Sequence, residues 1–306
     1  MRVLITGASG VIGQSLLKMI EKYASEIDAT FNTRRVQITI SNKTNLLHYS
    51  EIFRKEKAIK YDQIWHFATY GQPAKFIESW KEIVKLNIHD LNYLIELLAD
   101  DGKFFYASTS ELYGDQKSDE STIPSSDTLS KRAVYTESKR LGEAVLNTAI
   151  GDRATFFRIC LAYSPNFFVG DKRVLYELVI KGLKNQSINL LDDGASERQY
   201  IYIDDAVNMM ERIVFSNFKK DSPRNSIWNI SNPSKITILE LAEIIGKLLD
   251  KPVIPGDNHF NPLHALSKVE INPKRYLDIF GEYKFTTIDY GLKQVIKSAK
   301  KQLNII

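Results

Sequence analysis

Arg2-Val3-Leu4-Ile5-Thr6-Gly7-Ala8-Ser9-Gly10-Val11-Ile12-Gly13 is the stretch that decides the fold. An apolar run reads as a strand and ends in three glycines. From Val11 to Tyr23 the apolar positions then follow a helical period. In such a turn the first glycine permits the tight bend. The second lets a pyrophosphate approach the backbone, and the third lets helix pack on sheet. Free N–H groups at the helix start are donors for phosphate. A glycine pattern alone is weak evidence, but between a strand and a helix it is specific. Gly7, Ser9, Gly10, Val11, Ile12 and Gly13 are therefore expected to hold a dinucleotide.

Outward from this turn the chain alternates strand and helix. Strands are predicted over 27–31, 36–40, 63–67, 103–108 and 155–159. Helices are predicted over 45–56, 78–98 and 133–147. Repeated strand–helix units imply a doubly wound parallel sheet, whose ligands bind beyond the carboxyl ends of the strands. After about Pro165 the loops lengthen. There a helix is predicted over 174–184, a strand over 199–203 and a helix over 205–215. Thr237-Ile238-Leu239-Glu240 has the form of a capping box opening a helix to about Leu249. We expect a dinucleotide domain over residues 1–165 and a smaller α/β substrate lobe over 166–306, with some exchange of chain between them.

The second strand of a dinucleotide fold commonly ends in an acid that holds the ribose. Here it ends Thr30-Phe31-Asn32-Thr33-Arg34-Arg35, and Asp28 stands too early. Asn32 is the residue at the ribose position. Arg34 and Arg35 are read in two ways, as a grip on a 2′-phosphate or as surface charges, so NADP stands beside NAD as the cofactor.

Tyr135 and Lys139, four apart, share a helix face. The ammonium is expected to lower the phenol's pKa, and a phenolate beside a nicotinamide is a base for alcohol oxidation. A strand ends upstream in Ala107-Ser108-Thr109-Ser110-Glu111-Leu112-Tyr113-Gly114. Thr109 can bond the hydroxyl that Tyr135 deprotonates. Glu111 adds a carboxylate to that strand end, or is a solvated loop acid.

On these residues the chain resembles the extended short-chain dehydrogenase/reductase family, the NAD-dependent epimerases and dehydratases of nucleotide sugars. The likeness extends through His66-Phe67-Ala68, Asn87 and the run Asp193 to Asp205. It implies a Rossmann-type domain with cofactor contacts at Ala68, Asn87, Tyr135 and Lys139. It also implies substrate contacts at Arg173, Arg198 and Lys268, and a homodimer formed by a four-helix bundle from 78–98 and 133–147. The Thr-Ser-Glu-x-Tyr-Gly form is most similar to UDP-glucuronate decarboxylases. The alternatives are a 4-epimerase, a 4,6-dehydratase, an NADPH-dependent 4-keto-sugar reductase or a non-catalytic dinucleotide sensor. Two departures concern phosphate contacts: Leu161 stands where the family often has asparagine, and Ala265–Val269 lacks the family's late arginine.

Composition fits this reading. Across 306 residues, 43% hydrophobic and 25% charged content is that of a globular protein, and the net charge of +4 forms no block suited to nucleic acid. The single cysteine, Cys160, excludes an internal disulfide and fits a reducing compartment. No apolar run reaches membrane-spanning length, and the opening strand leaves no room for a signal peptide. The expectation is a cytoplasmic enzyme with no nucleic-acid or membrane partner. No metal-ligand cluster is read from the sequence.

Overall fold

The computed structural model describes residues 1–54, 58–71, 73–216, 226–257 and 270–305. Its main sheet has seven strands: β1 (Arg2–Thr6), β2 (Glu26–Phe31), β3 (Thr44–His48), β4 (Tyr61–His66), β5 (Leu98–Thr109), β6 (Ala154–Ile159) and β7 (Ile227–Ile230). Their order is β7-β6-β5-β4-β1-β2-β3 and every pairing is parallel. The order runs outward in both directions from β1. That reversal is the switch point beside which the Rossmann fold binds its dinucleotide.

Alternation along the strands builds two cores, because successive side chains point to opposite faces. Leu4, Ile64, Phe104, Tyr106 and Phe156 pack with Leu91, Leu94, Leu146 and Ile150 on one face. Val3, Ile5, Trp65, Phe105 and Phe157 pack with Leu16, Leu17 and Ile20 on the other. Each such side chain, removed from water, contributes about 1.5–3 kcal/mol. The helices beneath these two sets are the phosphate-turn helix, Val11–Ile20, and the helix carrying Tyr135, Ala133–Ile150.

A separate three-stranded sheet is formed by Leu161–Tyr163, Glu197–Tyr202 and Lys235–Thr237. Its helix Ile238–Leu249 opens on a complete capping box between Thr237 and Glu240. The helix Val174–Lys184 has the predicted bounds. Residues 227–230 return to the main sheet as β7, beside β6.

Three predicted elements differ. Residues 36–40 form no strand; the third strand is Thr44–His48, where a helix was expected. Its positions are mostly half-buried. On an edge strand backbone pairing to β2 decides the state, and the helical spacing of its leucines does not. The long helix expected over 78–98 is broken into Trp80–Val84, a π-helical turn at Lys85–His89, and Asp90–Glu96. The Leu86 carbonyl in that turn bonds His66 Nε2 at 3.0 Å, a partner outside the helix that favours the wider turn. Leu98 already belongs to β5, paired with Tyr61.

Candidate active site

The phosphate turn is a backbone device. Gly7 has φ +75°, and a Cβ there would lie 2.7 Å from the Ala68 nitrogen. A Cβ on Gly13 would lie 2.1 Å from the Gly7 carbonyl oxygen, so helix and turn touch directly. Gly10, the N-cap of the helix Val11–Ile20, carries no side-chain cap, and only the Gly7 oxygen lies within 4 Å of its virtual Cβ. Free N–H groups and open space at one helix start suit a pyrophosphate.

Next to the turn, Thr6 Oγ1 accepts from the Ala68 N–H at 3.2 Å and bonds His66 Nδ1 at 2.7 Å. Burial and Lys139 push His66 down to about 3, so it is a neutral spacer. The π-turn holds Asn87 fully buried; its Nδ2 donates to Ser138 Oγ at 2.9 Å, and its Oδ1 has no hydrogen-bond partner.

The side chains predicted to be catalytic lie toward the carboxyl end of β5. Thr109 caps the short turn Ser110–Tyr113 and accepts from the Glu111 N–H at 3.2 Å. Tyr135, on the first turn of the helix Ala133–Ile150, is buried beside Thr109. Burial raises its phenol, the Glu111 charge raises it further, and the Thr109 hydroxyl and Arg132 oppose both by lowering it. Lys139 is fully buried, has no hydrogen-bond partner at Nζ and lies over the Tyr106 ring, 4.5 Å from its centroid. Burial lowers it to about 7 against the opposing charge of Glu143. Within the chain, burial outweighs the charges around the phenol and moves ammonium and phenol each toward neutrality.

The orphaned Lys139 Nζ and Asn87 Oδ1 are a buried donor and acceptor, each costly without a partner. Together with the open glycine turn they fit the ribose and phosphates of a dinucleotide.

The comparisons with known proteins agree. Residues 3–231 match the NAD dependent epimerase/dehydratase family. The chain belongs to that family. The family is one of NAD-dependent epimerases and dehydratases. It is 24% identical over 282 residues to UDP-glucuronic acid decarboxylase 1 of Arabidopsis thaliana, covering 85% of this chain and 62% of that relative's length. A UDP-glucuronic acid 4-epimerase from Bacillus cereus, solved with UDP-glucuronic acid and NAD, superposes with a TM-score of 0.82 at 17% identity, covering 99% of this chain and 100% of the other. The dTDP-glucose 4,6-dehydratase of Streptomyces venezuelae, solved with NAD, gives 0.83 at 18%, covering 99% and 98%. At these identities the two structures speak to the fold.

Within this epimerase/dehydratase framework the predicted residues divide. Thr109, Glu111, Tyr135 and Lys139 converge. Ser9, Val11, Arg34 and Arg35 line a small recess with Phe168. Arg34 lies over the Phe168 ring at 5.0 Å and Arg35 over Phe31 at 5.8 Å; Asn32 is exposed beside them. Asp28 is buried, accepting from Tyr61 OH at 2.5 Å and Asn45 Nδ2 at 3.0 Å, so it is not the ribose acid. Arg198 turns toward the site: burial and Arg132 lower it while Glu111 opposes them. Arg173 is committed within the chain, to Asp171 and to the Ala162 carbonyl. Lys268 lies outside the described residues.

The sequence reading missed three residues. Arg132 grips Glu111, with Nε 2.7 Å from Oε2 and NH2 bonded to Oε1. Phe76 stacks on Tyr135, 4.2 Å between centroids at 7°. Glu143 holds Arg158 (2.9 and 2.6 Å) and accepts from Ser108. Arg132 stands three before Tyr135 and Glu143 four after Lys139, helical spacings that were a usable signal for two of them.

Proposed function

We propose that the chain acts on a nucleotide sugar through a 4-keto intermediate and that its net reaction is decarboxylation of a UDP-glucuronate-like uronate. The observation that carries this is Glu111, a gripped carboxylate at the strand end where Thr109 lies beside Tyr135. Bound NAD supplies the acceptor for the C4 hydride and returns the hydride at the end. Thr109 orients the C4 hydroxyl and Tyr135 takes its proton. Lys139 Nζ and Asn87 Oδ1, both without partners, would hold the ribose of bound NAD. The resulting ketone is β to the C6 carboxylate. Breaking the C5–C6 bond sends its electron pair into the ketone as an enolate, CO2 leaves, and C5 takes up a proton. Glu111 charges the C5 side of the site.

The test is UDP-glucuronic acid with the purified protein, followed by CO2 release and NMR of the product. Glu111→Gln should still reduce NAD, form product roughly 10²-fold more slowly and accumulate the 4-keto sugar. C4 epimer without CO2 would move the chain to the 4-epimerases. Normal turnover in the variant would make Glu111 a bystander.

We also propose a homodimer. Leu94, Leu97, Leu98 and Leu146 are buried within one chain. Exposed Val134 and Leu141, with half-buried Val145 on the same stripe of the helix and exposed Trp80 on the neighbouring one, remain for a second copy. A monomer by light scattering at micromolar concentration rejects this. Among the described residues no helix is long and apolar enough to cross a membrane.

A further inference from the structure

We propose that Arg132 is the positioning residue of this site: its guanidinium fork holds both oxygens of Glu111 while its face lies on Phe76, which lies flat on Tyr135, so one residue aligns acid and base. The argument rests on geometry that spans three elements. Arg132 is the N-cap of the helix that carries Tyr135, and its side chain does not cap that helix. It reaches instead to the turn after β5 and takes Glu111 with two donors. Its carbon Cζ sits 5.0 Å from the Phe76 centroid. Phe76, from the helix Pro73–Glu78, is 3% exposed and stacks on Tyr135.

The pair is mostly shielded, with side-chain exposures of 17% and 13%. A bidentate arginine–carboxylate pair fixes orientation as well as distance, and lysine cannot reproduce it. Both Glu111 oxygens are thereby aimed, and an ionised carboxylate only accepts. The site then has two ways to lose alignment, through the fork or through the ring stack, and Arg132 controls both.

The charges around Tyr135 give the proposal a sign. Glu111 from the turn, Arg132 and Lys139 from its own helix and Tyr106 from β5 surround the phenol; Arg198 from the second lobe faces Glu111. Glu111 opposes phenolate formation, and Arg132 offsets Glu111. Removing Arg132 leaves the carboxylate uncompensated against the phenol. Removing the Glu111 charge does the opposite.

This inference builds on the proposed function, so its first test needs no substrate. NAD-loaded protein labelled with 13Cζ-tyrosine is titrated by NMR, and Tyr135 is assigned by the signal missing in Tyr135→Phe. Arg132→Gln should move the Tyr135 titration up by about one pH unit or more, and Glu111→Gln should move it down. The double variant should return toward wild type. If all three variants titrate with wild type, the proposal is overturned. If Arg132→Gln does not fold, Arg132→Lys and Phe76→Leu replace it. The lysine variant should keep the titration within about half a unit while losing the fixed Arg Nε–H signal that marks the fork. Phe76→Leu should keep that signal and still slow the enzyme.

The second test uses UDP-glucuronic acid and follows reduction of bound NAD by absorbance. Arg132→Gln should cut the rate roughly 10²-fold, shift the acid limb of the pH profile upward and change KM by less than about threefold. Arg132→Lys should recover part of the rate. A loss confined to KM makes Arg132 a binding residue and overturns the claim. If wild type does not reduce NAD with this probe, the decarboxylase reading fails, and the titration still decides Arg132.

Discussion

The glycine turn at 7–13 and the charged cluster at the end of β5 are built by opposite means. The turn works through what is absent: Cβ atoms at Gly7 and Gly13 would strike backbone. The cluster works through what is present: Glu111, Arg132, Tyr135 and Lys139 are each displaced from their ordinary surroundings by burial or by a charged partner. Buried hydrogen bonds run from Thr6 through His66 to the Leu86 carbonyl, and the next residue, Asn87, bonds Ser138 on the helix that carries Tyr135. A backbone device tolerates no added atom but ignores pH. A side-chain device tolerates shape changes better and depends on every nearby charge.

The largest expected effect belongs to the cluster. Tyr135→Phe removes the proton acceptor while keeping the ring on Phe76. Turnover should fall roughly 10²–10⁴-fold with NAD affinity and thermal unfolding unchanged. Near-normal turnover would remove Tyr135 from the chemistry.

The turn should show two separable failures. Gly13→Ala overpacks helix against turn and should cost about 1–3 kcal/mol of stability, seen as a lower unfolding midpoint. Gly10→Ala faces mostly open space, so stability should hold while NAD binding weakens roughly tenfold, as its methyl stands where the pyrophosphate approaches. Equal effects of the two on stability would break the distinction.

Arg34 and Arg35 are side chains beside the turn, lining a recess with Ser9, Val11 and Phe168. Replacing both with Ala should weaken NADP by about tenfold and NAD by less than about threefold, measured by calorimetry. Equal losses would make them surface charges.

The smallest effect is on stability. Lys139 sits near 7 in the fold and in the usual lysine range when unfolded, because burial disfavours its charge. The unfolded chain therefore binds the extra proton between those values, and stability rises with pH across that window. Lys139→Met should abolish turnover yet raise the unfolding midpoint at pH 6 by on the order of 3 °C. The gain should shrink as pH climbs toward 10. A variant less stable at pH 6 would show that Lys139 is not strained.

The sequence by itself determined the turn, the helix Val174–Lys184, the capping box at Thr237, and the placing of Tyr135 and Lys139 four apart on one helix. These depend on spacing along a few neighbouring residues, which the period of a helix or the φ of a glycine fixes locally. Tertiary structure decided the rest. Thr44–His48 became an edge strand because β2 offered it hydrogen bonds. The helix expected over 78–98 broke where His66 reached the Leu86 carbonyl. Asp28 was taken by Tyr61, thirty-three residues away. Glu111 and Arg132, twenty-one apart, found each other across a turn. Charge pairing and buried hydrogen bonds depend on distance in space and on exclusion of water, and neither exists until the chain has folded.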